Sequence, residues 1–165
     1  MFIRVDTEEQ TEEVEKLANE IWREHYIPII GERQVEYMLK NFQSKKAIQE
    51  QLNNCYNYYL IYEENKNIGY AAIQFRRDEL FLSKIYIKSS ERGKGYAKKT
   101  IQFIEETAKN NNLKKITLTV NKNNSNTIKV YEKIGFKIVE PIVMDIGGGF
   151  IMDDYLMEKE LQLFG

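Results

Sequence analysis

The sequence predicts an α+β (α/β) fold: a central sheet flanked by helices, formed as one domain over residues 1–165. Three observations carry this. The residue patterning runs strand, two helices, three strands, helix, strand, helix, two strands. The run "ELFLSKIYIKS" has a strand alternation that slips midway, and the chain closes on two β-rich runs around Gly147-Gly148-Gly149. With 165 residues, 42% hydrophobic and 30% charged, the chain has the composition and the length to bury a real core.

The elements follow in order. "FIRV" is a short apolar start suited to an edge strand. From Thr7, acids fill the first turn of a helix, and Val14, Leu17, Ile21 and His25 recur at helical spacing. "YIPIIG" is expected to interrupt it, placing His25 and Tyr26 in the following loop. A second helical run, Arg33 to Leu52, offers Val35, Met38, Leu39, Phe42 and Ile48 to the core. "YYLIYEENKNIGYAAIQF" reads as two strands joined by a turn over Glu64 to Asn67.

In the next strand, Leu80 and Leu82 set one alternation, whereas Ile85 and Ile87 set the opposite one. A one-residue slip near Ser83-Lys84 is what a β-bulge produces, so a bulged strand is expected near 80–88. Ala97, Ile101, Ile104 and Ala108 then mark a helical face, and "KKITLTV" is a β-branched strand. "NNSNTIKVYEKIGF" opens with cap-type residues and forms a short helix ended by Gly135. "FKIVEPIVMDI" and "FIMDDYLMEKEL" make a closing hairpin.

Charge and composition narrow the function. A net charge of −1 gives no reason to expect nucleic acid or an anionic membrane as partner. One cysteine, Cys55, and one histidine, His25, argue against a disulfide framework and a structural zinc site, so no metal is expected. The N-terminus lacks a basic region followed by an apolar one, and no apolar run approaches the roughly 18 residues of a bilayer span. The expectation is a cytoplasmic protein.

The chemistry-bearing stretch is "SSERGKGYAKK". A turn between strand and helix carries unbonded backbone N–H groups at the positive end of the helix dipole, which suits a phosphate. Gly93 and Gly95 let backbone approach a diphosphate, and Arg92 and Lys94 add charge. Lys98 stands where a dinucleotide fingerprint needs a third small residue, and no Gly-Lys-Ser/Thr of a P-loop is present. By themselves these residues leave two readings open: a phosphate cradle or a solvated basic turn.

A second segment separates them. Asn124 precedes Tyr131 by seven residues, and "VYEKIGF" opens the last helix–strand unit. With the glycine turn, this resembles the GCN5-related N-acetyltransferase (GNAT) superfamily. There, arginine or glutamine, two residues, glycine, one residue, then glycine or alanine forms the acetyl-CoA pyrophosphate loop; Arg92, Gly95 and Ala97 fit it. The later asparagine…tyrosine-glutamate-lysine-x-glycine-phenylalanine motif is matched by Asn124, Tyr131, Glu132, Lys133, Gly135 and Phe136. The resemblance spans nearly the whole chain and implies a mixed, mostly antiparallel sheet. Within the superfamily, "IWREHYIPIIGERQVEYMLKNF", "YYLIYEENKNIGYAAI" and "DIGGGFIMDDYLMEKEL" are similar to the bacterial PaiA-type polyamine N-acetyltransferases.

The resemblance implies an acetyl-CoA-dependent N-acetyltransferase in which a primary amine attacks the thioester directly. The favoured acceptor is a polyamine such as spermidine or spermine. Alternatives are a protein N-terminus or lysine, an amino acid, an antibiotic, or no catalysis at all in a CoA-binding module. Backbone N–H groups of Ile85, Tyr86 and Ile87 would polarise the acetyl carbonyl. Arg92, Gly93, Lys94, Gly95, Tyr96, Ala97 and Lys98 would hold the pyrophosphate, Asn124 the pantetheine arm, and Lys133 a phosphate. Tyr131 is the implied general acid for the departing thiolate, although its spacing with Ile128 and Ile134 also suits a core tyrosine. Asn124 equally suits a helix N-cap, Lys133 a solvated surface, and His25 a core position. Asp153 and Asp154 could attract a cationic amine or stand as solvated acids; His25 and Tyr26 complete the acceptor candidates. Some relatives carry a glutamate base twelve residues before the tyrosine, where this chain has Thr119. Many relatives form dimers, which makes a homodimer a further expectation.

Overall fold

A computed structural model describes residues 1–162, beginning with strand β1 (Phe2–Arg4) and helix α1 (Glu8–Ile30). A reciprocal cap opens α1: the Thr7 hydroxyl accepts the Gln10 N–H at 3.2 Å, and the Gln10 carboxamide oxygen accepts the Thr7 N–H at 3.0 Å. Glu8 and Glu9 in the first turn complement the dipole. Val14, Leu17, Ala18, Ile21 and Trp22 form the buried stripe.

The helix continues through the expected "YIPIIG" break. Pro28 lies in its last turn, where a missing N–H removes one bond close to the end, and the chain turns out only at Gly31, whose φ is 87°. The single helical run expected from Arg33 to Leu52 is instead two helices, α2 (Glu32–Phe42) and α3 (Lys45–Leu52). Ser44 makes the division, its hydroxyl accepting the Ala47 N–H at 3.2 Å as the cap of α3.

Next come β2 (Tyr56–Glu63), β3 (Lys66–Phe75) and β4 (Glu79–Ile87). Glu64 and Asn65, at φ 51° and 63°, form the two-residue hairpin link, so the turn is tighter than the span from Glu64 to Asn67. A short 3-10 turn (Ser89–Glu91), α4 (Tyr96–Asn110), β5 (Lys115–Asn121), α5 (Ser125–Ile134), β6 (Lys137–Gly147) and β7 (Phe150–Glu160) complete the order. The strands follow the sequence β1-β2-β3-β4-β5-β7-β6. β4 and β5 run parallel; β1–β2, β2–β3, β5–β7 and β6–β7 pair antiparallel. This is the mixed, mostly antiparallel sheet with helices that the sequence predicts.

The chain forms two compact units. One comprises residues 1–74 and 84–101. Its core contains Ile21, Ile48, Tyr58, Ile61, Ile68, Tyr70 and Ile73, all fully buried. A line of hydrogen bonds crosses it. Trp22 Nε1 donates to the Tyr70 hydroxyl (3.0 Å), which donates to Gln43 Oε1 (2.6 Å); Gln43 Nε2 donates to the Tyr58 hydroxyl (3.1 Å). The Tyr58 hydroxyl then donates to Gln51 Oε1 at 2.6 Å. Each buried polar group is thereby satisfied by the next, which is how a core can hold two tyrosines and a glutamine.

The other unit comprises residues 75–83 and the chain from 102 onward. Leu80, Ile104, Ile116, Leu118 and Met157 form its interior. In the closing hairpin, Gly147, Gly148 and Gly149 all have positive φ, which the reversal requires.

Candidate active site

The glycine turn is built from its flanks. After β4, the Lys88 N–H bonds the Ile68 carbonyl at 2.8 Å, which fixes where the strand ends. Glu91 is 3% exposed and binds Lys66 at 2.7 Å and Lys94 at 2.9 Å. Its hydrogen bonds to Lys66 and then Lys94 hold its carboxyl down to about 2. Gly93 and Gly95 have φ of 79° and 83°, and a Cβ at either would meet nothing within 4 Å. Backbone conformation therefore asks for glycine here, and the space beside both is open.

The first turn of α4 has the chemistry of an anion site. The Lys99 N–H bonds the Gly95 carbonyl at 3.1 Å, so the N–H groups of Tyr96, Ala97 and Lys98 have no helical carbonyl one turn back. No acid stands in this turn, in contrast to α1 and α2. The side chains of Tyr96 and Ala97 pack on Ile61, Ile68 and Ile87, so what they can offer an anion is backbone N–H. Arg92, Lys94 and Lys98 are exposed, and Arg92 Nε donates to the Ile87 carbonyl at 3.4 Å.

Upstream, burial along β4 changes parity as the residue pattern does: Leu80 and Leu82 are buried, then Ile87. Ile85 and Tyr86 are half-buried. The Tyr86 ring lies 5.3 Å from Trp22, 5.9 Å from Tyr26 and 5.5 Å from Tyr70, centre to centre. The Tyr26 and Tyr86 hydroxyls are 3.3 Å apart. His25 meets Tyr26 edge-on at 4.8 Å. His25 and Tyr26 thus belong to α1 and not to a loop after it, a correction that follows from the helix running on to Ile30. Between Leu82 and Ile85, Lys84 points at the rings of Tyr56 and Tyr58 (5.8 and 5.6 Å) and donates to Gln51 Oε1 at 3.4 Å. Burial pulls its ammonium down to about 8.

In the second unit, Asn124 is the N-cap of α5 by position, yet its side chain makes no capping bond; its carbonyl accepts the Ile128 N–H at 3.1 Å. The residue is 4% exposed, so its carboxamide is held inside and is not spent on the helix start. Tyr131 is 8% exposed, its ring 5.6 Å from Phe136. Lys133 lies exposed in the last turn of α5, the favourable end of the dipole for a cation.

The two adjacent aspartates behave differently. Asp153 is exposed and paired with Lys122 at 2.7 Å. Asp154 is buried, which corrects the alternative of a solvated acid: alternation along β7 turns it to the opposite face from Asp153. Burial, then the charge of Asp153, push its carboxyl up to about 6 against the pull of a hydrogen bond from Thr119 and the charge of Lys122. Among the described residues, no three His, Cys, Asp or Glu side chains converge as a metal site, and no helix is long and apolar enough to cross a membrane.

Sequence reasoning does not find Gly69, Gln43 or Lys84. Gly69 carries a signal only in retrospect, as a glycine inside an apolar strand run. Gln43, which is buried, and Lys84, which is half-buried, are polar residues whose placement depends on partners distant in the chain.

The architecture is that of solved acetyltransferases. The chain superposes on the PaiA N-acetyltransferase of Thermoplasma acidophilum in complex with coenzyme A, with TM-score 0.78 and 22% identity, over 98% of this chain and 99% of that one. It superposes on the ribosomal-protein-S18-alanine N-acetyltransferase of Escherichia coli with TM-score 0.73 and 16% identity, over 100% and 97% of the two chains. The chain belongs to the Acetyltransferase (GNAT) family, whose pattern it matches over residues 13–136. It is also 25% identical over 122 residues to the uncharacterized N-acetyltransferase YobR of Bacillus subtilis (strain 168), covering 74% of this chain. It spans about half the length of that curated relative, 47%.

Proposed function

We propose that this protein is an acetyl-CoA-dependent N-acetyltransferase that moves an acetyl group to a primary amine of a small molecule. The observation that carries the reading is the first turn of α4. Glycines with positive φ, an acid-free helix start and exposed basic side chains lie together there, which supports reading the turn as a pyrophosphate site. In this reading, residues 92–98 take the pyrophosphate of acetyl-CoA, which supplies the activated acyl group. Arg92 and Lys98 add charge, and Lys94 does so while tethered to Glu91. The backbone of Ile85, Tyr86 and Ile87 polarises the acetyl carbonyl.

Asn124 hydrogen-bonds the pantetheine arm, and its uncapped, inward side chain supports that role. Lys133 is assigned to a CoA phosphate. Tyr131 gives its proton to the departing thiolate. A phenol near pKa 10 serves a thiol near about 8.5 when placement compensates the mismatch. The acceptor is read as a cationic amine, with spermidine and spermine favoured by the PaiA-like N-terminal half and by the carboxylate of Asp154. Tyr26, with His25 beside it, contributes an aromatic flank of the acceptor site. The chain acts as a single cytoplasmic catalytic domain, as a homodimer, without metal.

A thiol-release assay over a panel of amines, against an acceptor-free control, tests this. Turnover with spermidine or spermine supports the polyamine acceptor. Turnover only with peptides, amino acids or aminoglycosides replaces that acceptor and keeps the chemistry. Tight acetyl-CoA binding with no turnover on any amine overturns the enzyme reading in favour of a CoA-binding module.

A further inference from the structure

The position twelve residues before Tyr131 holds Thr119, whose hydroxyl cannot serve as a carboxylate base. The structure puts a carboxylate beside it from another strand. In the β5–β7 register, Thr119 stands opposite Leu156 and Asn121 opposite Asp154. Opposed residues share a face and alternate residues share it too, so Thr119, Asn121 and Asp154 project together. Asp154 is 1% exposed, its Oδ1 has no hydrogen-bond partner among the described residues, and the neighbouring Thr119 hydroxyl favours its ionised form.

A carboxylate oxygen buried in this way costs stability and brings no packing gain. A purely structural aspartate would have both oxygens bonded, as the buried Glu91 does with Lys66 and Lys94. We propose that Asp154, positioned by Thr119, is the general base that deprotonates the acceptor amine. This rests on the acetyltransferase reading above and moves the base from β5 to the neighbouring strand β7.

The proton inventory closes. An ammonium acceptor gives one proton to Asp154 and becomes the neutral amine. Its nitrogen lone pair forms the N–C bond to the acetyl carbon as the C–S bond breaks. Tyr131 gives its proton to sulfur and regains one from the nitrogen, and Asp154 returns its own to solvent. The products are the amide, the free thiol and one proton.

The electrostatics suit the task. The charged groups bearing on Asp154 are Asp153 on its own strand and Lys122 after β5; the facing residue of β6 is Ile142. A carboxyl raised to about 6 is a stronger base than an exposed aspartate and is still ionised at neutral pH.

The test is the pH dependence of kcat/KM for the accepted amine in wild type, Asp154→Asn and Thr119→Val, with acetyl-CoA binding followed by calorimetry. The wild-type rate is expected to fall below an apparent pKa of about 6. Asp154→Asn is expected to lose roughly 100-fold or more in kcat at pH 7, without that acidic limb and with acetyl-CoA affinity unchanged. Thr119→Val removes a hydroxyl that favours the ionised form, so its limb moves to higher pH. Asp154→Asn with wild-type kcat, or with only a raised amine KM, overturns the base and leaves the acetyltransferase reading standing. An unmoved limb in Thr119→Val overturns the positioning role. Absence of turnover by wild type on every amine, with acetyl-CoA bound, overturns both together.

Discussion

A Cβ added at Gly69 would lie 2.2 Å from the carbonyl oxygen of Tyr86 and 3.1 Å from the Ile87 Cα. These are backbone atoms, so no side-chain rotation relieves the overlap. β3 therefore approaches the half of β4 assigned to the acetyl carbonyl through a gap only glycine leaves open. Gly69→Ala must push the strands apart and is expected to lose on the order of 2 kcal/mol, as overpacking does. Because the displaced segment is residues 85–87, kcat should fall by more than the loss of folded protein explains. Denaturant titration alongside acetylation rate at matched folded concentration checks this.

At Gly95 the situation is reversed. The space beside it is open, and the constraint is φ at 83°. Gly95→Ala is expected to cost about 1–2 kcal/mol in local backbone preference and to weaken acetyl-CoA binding by re-aiming the first N–H groups of α4. Amine KM should be unaffected. Calorimetry with acetyl-CoA, beside the amine dependence of the rate, separates the two effects.

Glu91 anchors the same turn from beneath. Its carboxyl, held at about 2 by Lys66 and Lys94, is depressed relative to an unfolded glutamate near about 4.3. A group depressed on folding contributes stability above its unfolded pKa and loses that contribution as pH falls through the folded value. The melting-temperature gap between wild type and Glu91→Gln should therefore be full above about pH 4.3 and narrow as pH falls toward 2. A gap constant over that window would remove the ion pairs as its source.

Much of this architecture is legible in the sequence because it is carried by local rules. The parity change in "LFLSKIYIK", the glycine that ends α5 and the three glycines of the last turn each act within a few residues. What is not legible depends on partners far along the chain. Pro28 reads as a breaker, but its place in the last turn of α1 lets the helix run on, and His25 and Tyr26 move from loop to helix with it. Asp153 and Asp154 are chemically identical letters, and only the register of β7 against β5 makes one a surface ion-pair partner and the other a buried acid. Gln43 is indistinguishable from a surface residue until Tyr58 and Tyr70 are placed on either side of it.

Lys84 gives a prediction of opposite sign to Glu91. Desolvation lowers its pKa to about 8 from the 10.5 of an exposed lysine, so between these values the unfolded chain binds more protons than the folded one. Stability contributed through this group therefore rises as pH increases from about 8 toward 10.5. Lys84→Met, which keeps the aliphatic bulk beside Tyr56 and Tyr58, should flatten the slope and raise stability at neutral pH. Urea midpoints of both proteins at pH 7 and 9.5 test it; parallel slopes would assign the dependence to other groups.

Tyr131 separates packing from catalysis through one oxygen atom. Its ring stacks edge-on with Phe136 at 5.6 Å, and phenylalanine preserves that contact. If Tyr131 serves only as core, Tyr131→Phe keeps that ring contact and leaves the rate alone. If it protonates the thiolate, kcat falls by about 10²–10⁴, with acetyl-CoA affinity near wild type. The variant's residual rate should also rise when a more acidic thiol replaces CoA as leaving group. A variant that keeps the wild-type rate under saturating amine returns Tyr131 to the core and leaves leaving-group protonation to solvent.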